Sequence, residues 1–279
     1  MIAPHIELGR INTLRLDRFT APGCYLMAED EHDVLLPNQY VTDEMQLDDA
    51  LDVFIYTDSE DRLVATTQKP LALRDEFGFF EVVDVTAIGA FVDWGLPKDL
   101  FVPKNLQKNP MKVGEKRFLR IIKDPRSDRL IGIEKISKYL EKPTQLRTNE
   151  KIDLLLIAKT PLGYKVIVQN RFEGMLYSSE IFEPVNIGDT KTGYVKQLRK
   201  DGLLDCALQP VGKKRVENDA DKLLSILDAS KGILPYNYKS DPDTIMRVFN
   251  MSRKAFKRTL TQLSDAGVIE VRENGIFKK

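Results

Sequence analysis

The sequence predicts a mainly β protein, with three five-stranded barrels in tandem followed by a C-terminal α/β module. Short segments of alternating apolar and polar residues, separated by Gly and Pro turns, recur along the first three quarters of the chain. The order of these segments repeats, which is typical of duplicated units. In the last quarter the apolar positions change to helical spacing.

The repeat is clearest between Phe79 and Glu134, where five short strands are predicted. They are FFEVVDVTA, AFVDW, LFVP, RFLRIIK and RLIGIE. Gly95-Leu96-Pro97 and the polar stretch Asp124–Asp128 supply turns. One longer connection, between the third and fourth strands, matches a five-stranded barrel of the OB type.

The order G-A-F-V, turn, L-F-V-P, V-G-E and K-D…D-R-L-I resembles the RNA-binding domain first named from ribosomal protein S-one. In that family an aromatic residue in the G-A-F position stacks on a base, and an Asp and an Arg after the fourth strand lie beside it. Phe91, Asp124 and Arg129 occupy these positions, so the resemblance implies that they contact RNA. The alternative is that Phe91 simply fills the core. Ile88 and Pro103 replace an aromatic residue and a His that are frequent in the family, which implies weak binding by this barrel alone.

Residues 1–68 repeat the central pattern and predict a first barrel. Gly23–Met27 corresponds to Gly89–Asp93, and VLLP corresponds to LFVP. This stretch holds 4 basic and 14 acidic residues, a net charge of −10. Because such a domain repels the phosphate backbone, we interpret the first barrel as a structural copy or as a contact surface for a protein partner.

The second barrel with its linker is assigned to residues 69–149, and a third, more divergent barrel to residues 150–216. Their net charges are +5 and +3. A basic region indicates nucleic-acid contact, although an unevenly charged solvated surface is an equal alternative. In the third barrel Lys165 takes the aromatic position, and Arg199 and Leu203 take the Asp and Arg positions. The side chains expected to supply stacking and phosphate attraction there are Tyr164, Lys165, Arg171, Tyr177, Lys196, Arg199 and Lys200.

Residues 217–279 predict three helices followed by a β-hairpin, which is a winged helix. The first helix is expected over residues 219–229. The second starts at Asp241-Pro242, an N-cap followed by proline. The third is capped by Ser252 and stops at Gly267. Asn274-Gly275 predicts the hairpin turn.

The third helix carries its cations along one side. At about 100° per residue, Arg253, Lys254, Lys257 and Arg258 share one face, and apolar residues fill the opposite face. In helix-turn-helix proteins this helix enters the DNA major groove. A solvated basic face is the alternative. Three preceding barrels of an RNA-binding type shift the expected ligand from duplex DNA toward RNA.

Three S-one-type barrels followed by this module resemble the conserved virulence factor B (YitL-like) family. The most specific pieces are the order of modules, GMLY at 174–177, SRKAFK at 252–257 and the Gly-Ile pair at 275–276. The resemblance implies RNA binding associated with the regulation of gene expression, and it brings no catalytic residues.

Composition argues against several other classes of protein. No apolar run reaches the roughly 18–20 residues that span a bilayer, and a signal-peptide core is missing. We therefore expect a cytoplasmic protein without membrane contact. Two distant cysteines and two histidines predict neither a disulfide framework nor a His/Cys zinc site. No cofactor is expected.

The favoured hypothesis is a non-catalytic RNA-binding protein, a post-transcriptional or translational regulator that holds single-stranded RNA through the basic barrels and the winged helix. The third barrel and the winged helix are expected to bind more strongly than the barrel of Phe91. A DNA-binding transcription regulator acting through the winged helix is the alternative. An RNA-processing enzyme is less favoured, because the predicted modules leave no room for a catalytic domain and no P-loop motif is present.

Overall fold

The three predicted barrels and the C-terminal winged helix are present in a computed structural model, which confirms the predicted fold class. The structure describes residues 1–279, apart from the side chains of residues 213–217. The chain divides into two units, Met1–Tyr139 and Leu140–Lys279, and each is described by itself. The first unit holds two barrels, and the second holds one barrel and the winged helix.

The first barrel closes in the strand order β1-β2-β3-β5-β4, with β3 and β5 parallel and the other pairs antiparallel. Its core holds Leu14, Leu16 and Leu26, none of which is exposed to solvent. Its strands are β1 (Ile11–Thr20), β2 (Gly23–Met27), β3 (Asp33–Pro37), β4 (Ala50–Thr57) and β5 (Leu63–Thr66).

The second barrel repeats this topology, with the order β10-β8-β7-β6-β9. A β-bulge in β6, between Val82 and Asp84, bends that strand so that it pairs with β9 first and with β7 later. The strands are β6 (Phe77–Val85), β7 (Gly89–Asp93), β8 (Leu100–Pro103), β9 (Lys116–Lys123) and β10 (Leu130–Ile133). All five lie where the sequence predicts a strand.

The hydrophobic core of the second barrel extends onto the first barrel of the same unit. Four consecutive apolar residues at 53–56 in β4 are buried. Val53 and Ile55 face the core of the first barrel, while Phe54 and Tyr56 pack with the core of the second. A strand that is buried on both faces carries a continuous apolar run of this kind.

The third barrel closes in the order β11-β12-β13-β15-β14. Leu154, Val166, Leu176 and Cys206 are fully buried in its core. The strands are β11 (Lys151–Thr160), β12 (Gly163–Val168), β13 (Phe172–Tyr177), β14 (Thr190–Leu198) and β15 (Leu204–Ala207).

The second strand of every barrel begins with a glycine. At this position its backbone lies too close to a carbonyl group of the third strand to leave room for a side chain. A Cβ atom on Gly23 would lie 2.1 Å from the carbonyl oxygen of Leu36, and a Cβ atom on Gly163 would lie 2.2 Å from that of Leu176. Gly89 meets the same obstacle at 2.5 Å. Gly23 and Gly163 also have φ angles of 155° and 147°, which side chains disfavour.

The winged helix differs from the prediction at two places. The first helix, α1 (Lys213–Ala229), begins six residues earlier than predicted. The wing is a three-stranded sheet, because the two-residue strand β16 (Ile233–Leu234) joins the hairpin β17 (Ile269–Arg272) and β18 (Gly275–Lys278). Two residues are too few to show an alternating pattern, so the sequence predicts only the hairpin.

The other two helices start at the predicted caps. The side chain of Asp241 accepts a hydrogen bond from the Thr244 amide before α2 (Pro242–Phe249), and Ser252 does the same for the Ala255 amide before α3 (Arg253–Asp265). Phe249 and Phe256, both fully buried, pack with 4.8 Å between ring centroids and 37° between ring planes, and this contact joins the two helices. None of the described helices has both the length and the apolarity to cross a membrane.

Candidate nucleic-acid interface

Phe91 and Phe101 form an aromatic pair on the surface of the second barrel. They are register partners in β7 and β8, with ring centroids 5.2 Å apart and ring planes 46° apart. Both side chains are half-buried, whereas their neighbours Ala90 and Val102 are completely buried. Phe91 therefore projects from the outer face and does not fill the core.

The aromatic pair lines a cavity of about 280 Å³, which we call the aromatic cavity. Asp124 and Arg129 line it too, so the structure brings together the three residues predicted for this barrel. Ile88 and Pro103 lie in the same wall, at the positions where the family often has an aromatic residue and a His. The cavity is also lined by Tyr56, Thr57, Trp94, Lys98 and Ser127.

Asp124 is engaged in the turn between β9 and β10. Its carboxylate accepts hydrogen bonds from the Ser127 hydroxyl at 2.7 Å and from the Arg126 amide at 3.2 Å. The hydrogen bond from Ser127, followed by that from Arg126, holds the pKa of Asp124 below its ordinary value. The Asp124 carboxylate thus stabilises the turn that precedes Arg129.

Arg129 and Lys98 are the cations of the aromatic cavity, and both meet the first barrel. The Arg129 guanidinium forms an ion pair with the carboxylate of Asp61 in the turn between β4 and β5. Lys98 Nζ donates a hydrogen bond to the Asp58 carbonyl oxygen at 2.5 Å and lies 3.5 Å from the Asp61 carboxylate. The acidic first barrel therefore contributes to the surroundings of this site.

Sequence reasoning missed Phe101, Lys98, Tyr56 and Trp94. Phe101 has a signal in the sequence, since it alternates with Leu100 and Val102 in LFVP and so shares the outward side. Trp94 reaches the cavity through its indole, whose Nε1–H donates to the Lys98 carbonyl oxygen at 2.6 Å. Tyr56 belongs to a different barrel, so no local pattern predicts its presence.

The corresponding face of the third barrel carries different residues. Lys165 pairs in register with Met175 and Gly163 with Tyr177, as Phe91 pairs with Phe101 and Gly89 with Pro103. Lys165 and Tyr177 thus share the outer face of β12 and β13. Tyr164, in contrast, packs against the barrel core, and its hydroxyl donates to the Val185 carbonyl oxygen at 3.3 Å. It does not stand beside Lys165 as a stacking surface.

Most of the predicted cations of the third barrel have carboxylate partners. Lys196 Nζ lies 2.6 Å from Oε1 of the buried Glu180. The other ion pairs are Lys165 with Glu173 at 3.5 Å, Arg171 with Glu141 at 2.6 Å, and Arg199 with Asp205 at 3.9 Å and Asp201 at 3.8 Å. Lys200 is exposed in the turn before β15. Because the four paired cations are compensated by nearby carboxylates, their attraction for phosphate is lower than their number indicates.

In α3 the four predicted cations are exposed, as the helical pattern requires. Arg258 forms an ion pair at 3.3 Å with Asp219 of α1, whose side chain is only 6% exposed. Among the side chains that the structure describes, no carboxylate lies within 4 Å of the charged groups of Arg253, Lys254 and Lys257. These three cations face solvent and are available to an anion.

Comparison with known proteins identifies the modules and the family. The S1 domain matches residues 8–68, and the CvfB-like winged helix domain matches residues 221–277. The uncharacterized protein YitL of Bacillus subtilis strain 168 is 33% identical over 286 residues, which cover 96% of this chain and 92% of YitL. The chain belongs to the conserved virulence factor B (YitL-like) family.

Other relatives are more distant. Conserved virulence factor B of Staphylococcus saprophyticus is 25% identical and that of Staphylococcus epidermidis 24%, with 84% and 82% of this chain and 81% and 80% of those proteins covered. A crystal structure of a multidomain protein with nucleic acid binding domains from Streptococcus pneumoniae TIGR4 has 25% identity and a TM-score of 0.41, covering 98% of each chain.

Membership of the conserved virulence factor B (YitL-like) family confirms the resemblance read from the sequence. Its S1 and winged-helix modules are nucleic-acid-binding domains rather than catalytic ones, so the findings support nucleic-acid binding. Within the part of the chain whose side chains are described, no group of three or more His, Cys, Asp or Glu residues is placed to hold a metal ion.

Proposed function

We propose that this protein is a non-catalytic RNA-binding regulator that holds single-stranded RNA. The observation that carries the proposal is the Phe91–Phe101 pair, which offers ring surfaces in one cavity with the cations Lys98 and Arg129. Aromatic side chains beside a positive charge are the combination that sequence-tolerant single-strand binders use. An aromatic surface in a cavity requires an unstacked base, which a duplex does not offer.

The exposed cations of α3 supply the second half of the proposal. Arg253, Lys254 and Lys257 would neutralise phosphates, a contact that gives affinity without reading sequence. Lys165, Tyr177 and Lys200 of the third barrel are further candidates on the outer surface. In this scheme the four predicted domains, with their boundaries at 68/69, 149/150 and 216/217, bind RNA with unequal strength, and the protein acts in the cytoplasm at the post-transcriptional or translational level.

The exposure of α3 favours one second candidate. A basic helix in a winged-helix domain is the element that enters the major groove of duplex DNA. A transcription regulator of this kind would use Arg253, Lys254 and Lys257 and would leave the aromatic cavity without a role in DNA binding. The two candidates therefore differ in the ligand they prefer.

A competition experiment on the full chain separates the two functions. Labelled oligo-uridine RNA is bound, and unlabelled oligo-uridine or duplex DNA of equal length is added while fluorescence anisotropy is measured. We expect the RNA to compete at lower concentration, and we expect labelled RNA to stay intact in the presence of Mg²⁺. Preferential competition by duplex DNA would support the transcription regulator, and shortened RNA products would support an enzyme.

A further inference from the structure

The turn between β4 and β5 of the first barrel reaches the aromatic cavity of the second. Thr57 and Tyr56 line that cavity, and a second cavity of about 660 Å³ lies on the other side of Arg129. Thr57, Ser127 and Arg129 line both cavities, and Asp61 lines the second. The Arg129–Asp61 ion pair therefore stands where the two cavities meet.

Hydrogen bonds within the turn position Asp61 here. Its φ angle is +64°, and its amide donates to the Asp58 carbonyl oxygen at 3.0 Å. The Asp58 carboxylate in turn accepts hydrogen bonds from the amides of Glu60 and Arg62 and from the Arg62 side chain. A tight turn made in this way places the Asp61 carboxylate between two cations of the neighbouring barrel.

We propose that Asp61 occupies the place of a phosphate in the second barrel's binding site. Its carboxylate meets Arg129 and Lys98, the two cations beside the aromatic pair, as a phosphate of a bound strand would. Single-stranded RNA that places a base against Phe91 must exchange Asp61 for a phosphate oxygen at these cations. The first barrel thus limits the affinity of the second barrel for RNA. This inference rests on the proposed function.

The expected gain in RNA affinity follows from the solvent exposure of the Asp61–Arg129 ion pair. Asp61 is 38% exposed and Arg129 is 56% exposed, so their ion pair is screened by water and is weak. Releasing it should tighten RNA binding by about two- to fivefold rather than by orders of magnitude. It should also steepen the dependence of binding on salt, since each phosphate neutralised on a single strand adds about 0.7 to the slope.

The test is Asp61→Asn in the full chain. Asparagine adopts positive φ readily and has the size of aspartate, so the turn is preserved. The matched control is Asp48→Asn, because Asp48 is also in the first barrel, has a φ angle of +71° and pairs with Arg15 at 2.7 Å, away from both cavities. If Asp61→Asn fails to fold, Asp61→Gly satisfies the same φ and makes the same charge change.

Trp94 supplies a readout that is local to the site. It is the one tryptophan of the chain, and it lines the aromatic cavity. An oligo-uridine RNA of about ten nucleotides is titrated, and both Trp94 fluorescence and anisotropy of the labelled RNA are followed. We expect Asp61→Asn to bind two- to fivefold more tightly by both signals, with a steeper salt slope, and Asp48→Asn to match the unchanged protein.

Three results would overturn the inference. If Asp61→Asn binds RNA no more tightly than Asp48→Asn, the ion pair does not compete with RNA. If RNA binds by anisotropy without any change in Trp94 fluorescence, the strand binds elsewhere, and the proposed function survives alone. If the unchanged protein does not bind RNA at all, the proposed function and this inference both fail.

Discussion

The indole ring of Trp94 in the second barrel meets the phenyl ring of Phe54 in the first barrel edge-on, with 5.6 Å between centroids and 78° between planes. Both residues are almost completely buried in the hydrophobic cluster that joins the two barrels. Edge-to-face pairs add to the free energy that burial itself contributes. We therefore expect this contact to couple the unfolding of the first two barrels.

Phe54→Ala should therefore destabilise both barrels. Loss of a buried phenyl ring costs about 3–5 kcal/mol of unfolding free energy. Denaturant unfolding is followed by Trp94 fluorescence in the second barrel and by the reactivity of the buried Cys24 thiol in the first. We expect the two transitions to coincide and to shift together to lower denaturant concentration. A shift of the Cys24 transition alone would show that the barrels unfold independently.

Phe91→Ala and Phe101→Ala should each weaken the binding of single-stranded RNA. Stacking of one base on an aromatic side chain is worth about 1–3 kcal/mol, which is at least a fivefold change in the dissociation constant. Both side chains are half-buried, so the variants should stay folded. Phe19→Ala is the control, because Phe19 is 49% exposed on the first barrel and does not line the aromatic cavity. Anisotropy titration checks the prediction, and equal losses in all three variants would contradict it.

The cations of α3 should separate into two classes. Lys254→Ala with Lys257→Ala should leave thermal stability unchanged and should weaken RNA binding with a shallower salt slope, because these side chains face solvent. Arg258→Ala should cost about 1 kcal/mol of stability, because it removes a charged partner of the buried Asp219. Thermal melts and salt titrations on the same variants measure both effects. A stability loss in the double lysine variant would contradict the assignment.

Acid should weaken the turn that carries Arg129. Because hydrogen bonds from Ser127 and Arg126 lower the folded-state pKa of Asp124, the stability it contributes is present above its unfolded pKa of about 3.9 and is lost as the pH falls through the folded value. Ser127→Ala should raise the pKa of Asp124 toward its ordinary value. An NMR titration of the carboxyl carbon measures the shift, and an unchanged pKa would show that the Ser127 hydroxyl does not matter.

Local patterns predicted much of the fold. The resemblance to the S-one domain predicted that Phe91 contacts RNA, and the structure places that side chain on the outer face of its barrel. The Asp241 and Ser252 caps located two helix starts. The same reasoning separated Arg253 and Lys254 from the buried side of α3. These features depend on residues a few positions apart, where the period of a strand or helix decides which way a side chain points.

Contacts between residues that are far apart in the sequence could not be predicted from local sequence patterns. Arg129 and Asp61 are 68 positions apart, and Lys196 and Glu180 are 16 apart. A charge count treats these cations as free, although each has a carboxylate partner in the fold. The apolar run at 53–56 indicates that β4 is buried on both faces, which is a sign that the first barrel packs against another part of the chain. Such a run does not identify the surface that covers the second face of the strand.

The glycines that open β2, β7 and β12 have a consequence for mutational scans. Every substitution of a glycine adds a Cβ atom, and at Gly23, Gly89 and Gly163 that atom would collide with a backbone carbonyl that cannot move aside. All replacements at these three sites should therefore reduce the amount of folded protein. A scan for RNA-binding phenotypes will rank Gly89, two residues from Phe91, as essential for binding. Only a parallel measurement of protein abundance will separate a loss of folding from a loss of RNA contact.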